Sequence, residues 1–210
     1  MKLYRININN FEDPLQNESL LELVGPERRK KVIRYCQPDD RKRSLGAGIV
    51  IKTILNENGL SESSLKYSEN EKPTADNLFF NITHSGAYVV GVQSDCEVGC
   101  DIEKIDAAPL EIAEHYFRPA ECEYIKSAKD KNRAFFTLWT LKESYMKMTG
   151  RGLSIPLDSF EIIRRANGYV LKEPLQKPCF LKTMEFDDHV FSVCNETEFV
   201  FGPDDFHDIM

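Results

Sequence analysis

The sequence predicts an α+β protein with two similar halves, each an antiparallel sheet packed with helices. Helical and strand-like hydrophobic patterns follow one another in the same order twice along the 210 residues. Within each half, short turns join the strands, which favours antiparallel pairing. We place the boundary near Asp106, which gives an N-terminal half (1–106) and a C-terminal half (107–210). The halves should be related by a pseudo-twofold axis, with an active-site cleft between them.

The first half begins with a strand and two helices. The alternation in KLYRINI is typical of a strand with one buried face. Pro26 suits the first turn of a short helix, and Asp39 or Asp40 can cap a longer helix that ends near Asn58 and Gly59. Three short strands follow, with the sequences FFNIT, AYVVGVQ and VGCDIEKI. We expect them to form an antiparallel sheet against those helices.

The second half repeats this order. Helical segments are predicted around 109–126 and 130–149. Four strands come next, with the sequences SFEII, GYVLK, CFLKTMEF and VFSVC. The ANG turn at 166–168 is typical of a β-hairpin, and the turn at Asp187 and Asp188 is a weaker example.

Charge is unevenly distributed along the chain. The formal net charge is −7, which argues against nucleic acid as a partner. Residues 26–43 nevertheless contain eight bases and three acids. Such a basic segment suits a phosphate-rich small ligand or an acidic partner, and the alternative is a solvated helix face.

The sequence also bears on compartment and redox state. Its longest apolar runs are shorter than the roughly 18 residues that span a bilayer, and the first residues do not form a signal segment. We therefore expect a cytoplasmic protein with no membrane partner. The six cysteines show no zinc-binding spacing and no disulfide framework, so we expect reduced thiols.

Two carboxylates are predicted to share one face of a strand. Asp101 and Glu103 stand two positions apart in GCDIEK, and residues at that spacing project to the same side while Ile102 faces the core. Two adjacent anions favour a bound cation. A strand end with solvated acids is the alternative.

The segment FFTLWTLKESYMK contains a second pair of charged residues. At helical spacing its large apolar residues form a buried stripe, while Glu143 and Lys147 lie one turn apart on the flank. The alternative is an ordinary helix-stabilising surface ion pair. In a third segment, NITHSG, His84 stands among small hydroxyl residues that can approach an anion, and upstream Lys72 offers a cation.

These segments, taken in order, resemble the 4'-phosphopantetheinyl transferase superfamily, specifically its long, Sfp-type branch. The resemblance runs from PERRKKVIRYCQPDDRKRSLGAG through EKPT, FNITHSG and VGCDIEK to LWTLKESYMKMTGRGLSIPLDSF. It implies a holo-[acyl-carrier-protein] synthase type of enzyme. Such an enzyme moves 4'-phosphopantetheine from coenzyme A, its co-substrate, to a serine of an apo acyl or peptidyl carrier protein and releases 3',5'-ADP.

The resemblance also implies roles for individual residues. It assigns a Mg²⁺ ion to Asp101, Glu103 and Glu143, with Lys147 beside the diphosphate of coenzyme A. The positions implied to hold the nucleotide and its 3'-phosphate are Lys31, Arg43, Lys72 and His84, with Thr83 assisting. The proton of the carrier serine could go to Glu143, to a metal-bound water or to Glu121, and the sequence does not choose among them.

The chain departs from the family pattern at three positions. Glu71 replaces a common glycine, Thr83 replaces a common serine, and Arg28 replaces a frequent lysine. The carrier is expected to be an acidic, transient partner, and a monomer is expected because both halves of the cleft belong to one chain. Two other functions remain open: a metal-dependent hydrolase of coenzyme A or a related nucleotide, and a non-catalytic module that binds coenzyme A or a carrier.

Overall fold

A computed structural model describes residues 1–68, 72–172 and 178–209 of the chain. Within these ranges the α-helices are α1 (Pro26–Arg34), α2 (Pro38–Glu57), α3 (Leu110–Tyr116), α4 (Pro119–Ser127) and α5 (Lys131–Thr149). None of the helices in these ranges is both long enough and apolar enough to cross a membrane.

The strands form two main sheets and a small hairpin. In chain order they are β1 (Lys2–Asn7), β2 (Lys66–Tyr67), β3 (Pro73–Thr74), β4 (Phe79–Ser85), β5 (Tyr88–Ser94), β6 (Val98–Lys104), β7 (Glu161–Arg165), β8 (Gly168–Lys172), β9 (Phe180–Phe186), β10 (His189–Asn195) and β11 (Phe206–Asp208). Sheet one has the order β11-β1-β5-β4, and sheet two has the order β6-β10-β9-β8-β7. Among the described residues, β2 and β3 form a separate two-stranded sheet.

Local sequence explains where the main helices begin and end. Both α1 and α2 start with proline, whose missing N–H costs nothing in the first turn. Helix α5 begins after Asp130, whose side chain accepts a hydrogen bond from the backbone N–H of Arg133. It ends at Gly150, which adopts the left-handed conformation with φ 69°. The sequence places these boundaries within one or two residues.

Sheet one is buried on both faces. Helix α2 covers one face through a core that includes Leu45, Val50 and Val89. The other face packs against sheet two through a separate core that includes Val90 and Phe191. Alternate residues of β5 therefore enter two different cores, which explains why the strand is apolar without interruption between Tyr88 and Val92.

Helix α5 is the counterpart of α2 for sheet two. Its buried side chains, which include Leu138 and Leu141, pack with α3, α4 and the strands of that sheet. The α+β class and the plan of two similar halves are thus confirmed. Each half contributes one long helix, and α2 covers sheet one as α5 covers sheet two.

The strand that carries GCDIEK belongs to a different sheet from the one expected. Strand β6 was predicted to complete the sheet of β4 and β5, but it pairs antiparallel with β10 from the far end of the chain. In return β11 joins β1 of sheet one as a parallel neighbour. The apolar residues of β6 find their complement on β10, which sequence alternation alone cannot specify. The division of the chain at residue 106 stays a prediction.

Candidate functional site

A pocket of about 280 Å³ lies where the edge of sheet one meets β6 and α5. Its lining residues are Ile82, Thr83, His84, Asp101, Glu103, Trp139, Glu143 and Lys147. Three carboxylates, one ammonium group and one imidazole therefore face a single space. Residues from three separate segments of the sequence, predicted independently of one another, meet here.

The position of α5 over β6 depends on a glycine. A Cβ atom added to Gly99 would overlap the carbonyl oxygen of Ser144 and the backbone nitrogen of Met148. The helix backbone therefore lies directly on the strand at this point. Asp101 and Glu103 follow Gly99 at alternate positions, so they face the same helix.

Lys147 pairs with Asp101 rather than with Glu143 on its own helix. Its Nζ lies 2.5 Å from Asp101 Oδ1 and also donates to Thr83 Oγ1 at 3.3 Å. The Asp101 side chain is 6% exposed and that of Lys147 is 29% exposed, so water screens the pair only in part. Burial opposes the charge on Lys147, but the nearby acidic groups, Asp101 foremost, together outweigh burial and raise the pKa of the amine.

The other two carboxylates carry raised pKa values. Burial is the larger cause for both Glu103 and Glu143, and the negative charge of Asp101 adds to it. Ser85 partly offsets the effect at Glu103 by donating a hydrogen bond at 2.7 Å. The pocket thus concentrates more negative charge than its one ammonium group neutralises.

The chemistry of the pocket's carboxylates suits a divalent cation. Asp101 Oδ2 is buried and has no hydrogen-bond partner, and oxygen atoms of this kind are the ligands that Mg²⁺ prefers. Glu103 and Glu143 line the same pocket. Among the described residues, no group of three or more acidic, histidine or cysteine side chains is already arranged to hold a metal ion. The side chains are available to a cation without being arranged around it.

His84 and Arg43 lie at the rim of the pocket. The His84 side chain is exposed, yet desolvation by the surrounding chain lowers its pKa, and the positive charges of Lys147 and Arg43 lower it further. Arg43 donates to the carbonyl oxygen of Gly86 at 2.9 Å and to Asp40 at 2.5 Å. A phosphate placed here would meet two basic side chains and favour the protonated imidazole.

Lys72 and Lys31, like Arg43, are not among the residues that line the pocket. Lys72 Nζ donates to the carbonyl oxygen of Lys147 at 3.0 Å, next to the C-terminal end of α5. Lys31 is exposed on α1 and is not among the residues that line the pocket. Glu71, where a glycine was noted as common, lies outside the described residues, so its expected effect stays a prediction.

Glu121 is buried outside the pocket and is not positioned to accept the serine proton. It is 1% exposed, and Lys142, which is 0% exposed, lies 2.9 Å from its Oε1 atom. Both of its carboxylate oxygens also accept backbone hydrogen bonds, from Ile162 at 2.7 Å and from Arg118 at 2.9 Å. Lys142 donates in addition to two carbonyl oxygens of the loop that precedes β7. The pair holds α4, α5 and that loop together.

Sequence reasoning missed Lys142, Trp139 and Ser85. Lys142 stands at helical spacing from Leu138 and Met146, so its place on the apolar stripe was a readable signal of burial. Trp139 was assigned to the buried stripe, but it is only partly buried and lines the pocket. Ser85 projects to the same side of its strand as Thr83, and that alternation could have indicated a shared contact.

A larger depression of about 430 Å³ lies at the N-terminus. Its one glutamate, Glu57, is already bonded to Lys2 and Tyr4, each at 2.9 Å. Besides Glu57 and Lys2 its lining includes Asp205 and His207, so two acids face it where three line the pocket beside α5. The side-chain chemistry therefore indicates that the smaller pocket is the candidate functional site.

Comparison with known proteins agrees with the motifs. Residues 97–194 match the family model of the 4'-phosphopantetheinyl transferase superfamily. The chain is 34% identical over 206 residues to the 4'-phosphopantetheinyl transferase Sfp of Bacillus subtilis (strain 168), and 33% identical over 205 residues to the 4'-phosphopantetheinyl transferase ffp of Bacillus subtilis. Each alignment covers 92% of this chain and 92% of the relative.

Likeness to solved structures is weaker. The holo-[acyl-carrier-protein] synthase of Thermotoga maritima superposes with a TM-score of 0.41 and 19% identity, over 47% of this chain and 61% of that chain. A holo-(acyl-carrier-protein) synthase from Bacillus anthracis, in complex with CoA (3',5'-ADP), gives 0.42 and 15%, over 47% and 92%. The sequence matches over 92% of the chain establish the family: this chain belongs to the 4'-phosphopantetheinyl transferase superfamily.

Proposed function

We propose that this chain transfers the 4'-phosphopantetheine group of coenzyme A to a serine hydroxyl of an apo carrier protein and releases 3',5'-ADP. One observation carries the proposal. In a chain that matches 4'-phosphopantetheinyl transferases over 92% of its length, a single pocket joins three carboxylates to a lysine. This is the grouping needed to hold and activate a diphosphate.

The pocket has a volume of about 280 Å³, near the lower limit of small-molecule sites, about 300–1,000 Å³. We infer that the diphosphate of coenzyme A enters it while the nucleotide lies along the rim. Arg43 and His84 would contact the nucleotide there with help from Thr83. Lys72 and the exposed Lys31 would add positive charge on the outer side.

Asp101, Glu103 and Glu143 are the residues that would hold Mg²⁺. A bound Mg²⁺ ion would orient the diphosphate oxygens and offset their charge. The buried, unpartnered Asp101 Oδ2 supports this choice of ligands. Thr83 holds the other oxygen of Asp101 at 3.0 Å and so fixes the direction of the carboxylate.

The chain's own residues account for the remaining steps. The serine oxygen forms a bond to the phosphorus that carries pantetheine, and the bond from that phosphorus to the bridging diphosphate oxygen breaks. Glu143 lines the pocket, and we propose it as the group that accepts the serine proton. Lys147 faces the pocket with a raised pKa, so it stays charged and stabilises the leaving 3',5'-ADP.

We further propose the holo-[acyl-carrier-protein] synthase type of activity, with acyl or peptidyl carrier proteins as acidic, transient partners. The exposed bases of α1 support an acidic partner, since Lys31 and Arg34 project from one end of that helix. A monomer is expected because β4 and β6, which form the two sides of the pocket, belong to one chain. Size-exclusion chromatography with light scattering tests that expectation.

Intact-mass spectrometry tests the function directly. An apo carrier protein is incubated with the enzyme, coenzyme A and Mg²⁺, and EDTA replaces Mg²⁺ in a parallel sample. We expect the carrier mass to rise by one phosphopantetheine only when Mg²⁺ is present. Asp101→Asn should abolish the increase, whereas Asp95→Asn, in an exposed turn outside the pocket, should retain it.

Other outcomes would favour the alternative functions. Release of 3',5'-ADP without modification of acyl, polyketide or peptidyl carriers would indicate a hydrolase. Binding of coenzyme A without either product would indicate a non-catalytic module. Full activity of Asp101→Asn at saturating Mg²⁺ would contradict the assignment of the metal ligands.

A further inference from the structure

Side chains of β4 join the facing edges of the two sheets. Three of them accept a hydrogen bond from a backbone N–H of β6: Asn81 from Cys100 at 3.0 Å, Thr83 from Ile102 at 3.3 Å and Ser85 from Lys104 at 3.1 Å. The sequence separation is the same at each contact, so the strands run parallel. Polar side chains here replace the carbonyl oxygens of an ordinary ladder.

Two of these contacts continue to a carboxylate. The Thr83 hydroxyl donates to Asp101 Oδ1 at 3.0 Å, and the Ser85 hydroxyl donates to Glu103 Oε2 at 2.7 Å. A hydroxyl has one donor and two acceptor sites, so it can accept from the backbone and donate to the carboxylate together. Each hydroxyl thereby ties the carboxylate to the strand edge of the opposite sheet.

Glu103 depends on this contact more than Asp101 does. Asp101 has a short side chain and is held by Thr83 and by Lys147. Glu103 has one more rotatable bond, and Ser85 supplies its hydrogen bond across the sheet edges. Without that bond, ordering the longer side chain around a cation would cost conformational entropy at the moment of binding.

We propose that Ser85 is a positioning residue of the cation site, which fixes the Glu103 carboxylate by bridging it to the backbone N–H of Lys104. The proposal rests on the proposed function for the role of Glu103 as a ligand. It goes beyond that function by assigning the orientation of the ligand to the junction between the sheets. Ser85 itself is not among the residues that line the pocket.

Three variants separate positioning from a merely structural role. Ser85→Ala removes both hydrogen bonds. Ser85→Thr keeps the hydroxyl, and Thr83 already makes the same pair of contacts from the same face of β4. Ser94→Ala is the control, because Ser94 also links the two sheets, to Asn195 at 3.1 Å, but is absent from the pocket.

Two measurements are made without coenzyme A or carrier protein. Electron paramagnetic resonance gives the affinity for Mn²⁺, which accepts the same oxygen ligands as Mg²⁺. Amide hydrogen exchange, followed by NMR, reports on the N–H of Lys104. For Ser85→Ala we expect Mn²⁺ affinity to fall about 10-fold or more, as for other residues that orient a ligand. We expect exchange at Lys104 to quicken about fivefold, as for a lost hydrogen bond. Ser85→Thr and Ser94→Ala should resemble the unmodified protein in both measurements.

Each other result overturns the proposal. Faster exchange with unchanged Mn²⁺ affinity would make Ser85 a structural contact only. Lower affinity with unchanged exchange would mean that the effect does not pass through Lys104, and absence of both changes would remove the role altogether. Because neither measurement involves transfer, failure of the carrier-modification assay would contradict the proposed function separately.

Discussion

At the scale of single residues, the most specific prediction concerns Lys147. Its ammonium group lies 2.5 Å from Asp101 and faces the pocket, where negative charge would grow on the leaving group. Removing one preorganised charge of this kind typically lowers kcat by about 10²-fold or more. We therefore expect Lys147→Ala to lower kcat more than it raises KM for coenzyme A.

Steady-state kinetics with apo carrier protein checks this expectation. Lys131→Ala, at the exposed start of the same helix, is the matched control and should leave both constants unchanged. A change confined to KM would show instead that Lys147 binds the ground state and the transition state equally.

Glu121 and Lys142 should act on stability rather than on catalysis. Both side chains are buried and satisfied by each other and by backbone groups. Removing one partner leaves an uncompensated buried charge, so Glu121→Gln or Lys142→Met should each cost about 3–5 kcal/mol of unfolding free energy. The double variant should lose less than the sum of the two.

Urea denaturation of the single and double variants measures these losses. The exposed pair Lys126 and Glu114 provides the control, since Lys126→Met should cost less than about 1 kcal/mol. Under conditions where Glu121→Gln is folded, it should retain kcat. Loss of kcat in the folded variant would return Glu121 to the list of proton acceptors.

At the scale of elements, the contact of α5 with β6 sets the geometry of the pocket. Gly99 is the point of closest approach, and any added side-chain atom would meet helix backbone that cannot rotate away. Gly99→Ala should therefore shift the helix that carries Glu143 and Lys147 away from Asp101. A displacement of about 1 Å at reacting groups can lower the rate about 10²-fold.

Gly59→Ala separates this effect from simple backbone strain. Gly59 has φ +70° at the end of α2 and no atom near the position of an added Cβ. It should cost about 1 kcal/mol of stability through the left-handed conformation alone, with kcat unchanged. Equal kcat values for the two variants, measured on folded protein, would contradict the role given to the Gly99 contact.

At the scale of the whole molecule, each sheet contains a strand from the other half of the chain. Strand β6 completes sheet two and β11 completes sheet one. A cut at residue 106 would leave β6 without β10, so the halves should not unfold separately. We expect one cooperative transition in urea for the full chain.

The single tryptophan makes this expectation measurable. Trp139 lies on α5, so its fluorescence reports on the second half, whereas far-UV circular dichroism reports on both. The two transitions should coincide, and the fragments 1–106 and 107–210 should each lack a cooperative transition alone. Two separate midpoints for the full chain would favour independent domains.

The sequence by itself determined the elements and the local part of the site. Period-two spacing placed Asp101 and Glu103 on one face, and helical spacing placed Glu143 and Lys147 one turn apart. The α+β class followed from the same periodicities, and four motifs in a fixed order indicated the family. The inferences from spacing concern neighbours within one element, whose geometry the backbone fixes.

Only the tertiary structure decided which elements meet. It paired β6 with β10, turned Lys147 toward Asp101 and buried Glu121 against Lys142. Each of these contacts joins residues that are distant along the chain, and each depends on which apolar surfaces exclude water together. A hydrophobic pattern states that a face will be buried, but the partner that covers it is set by packing of the complete chain.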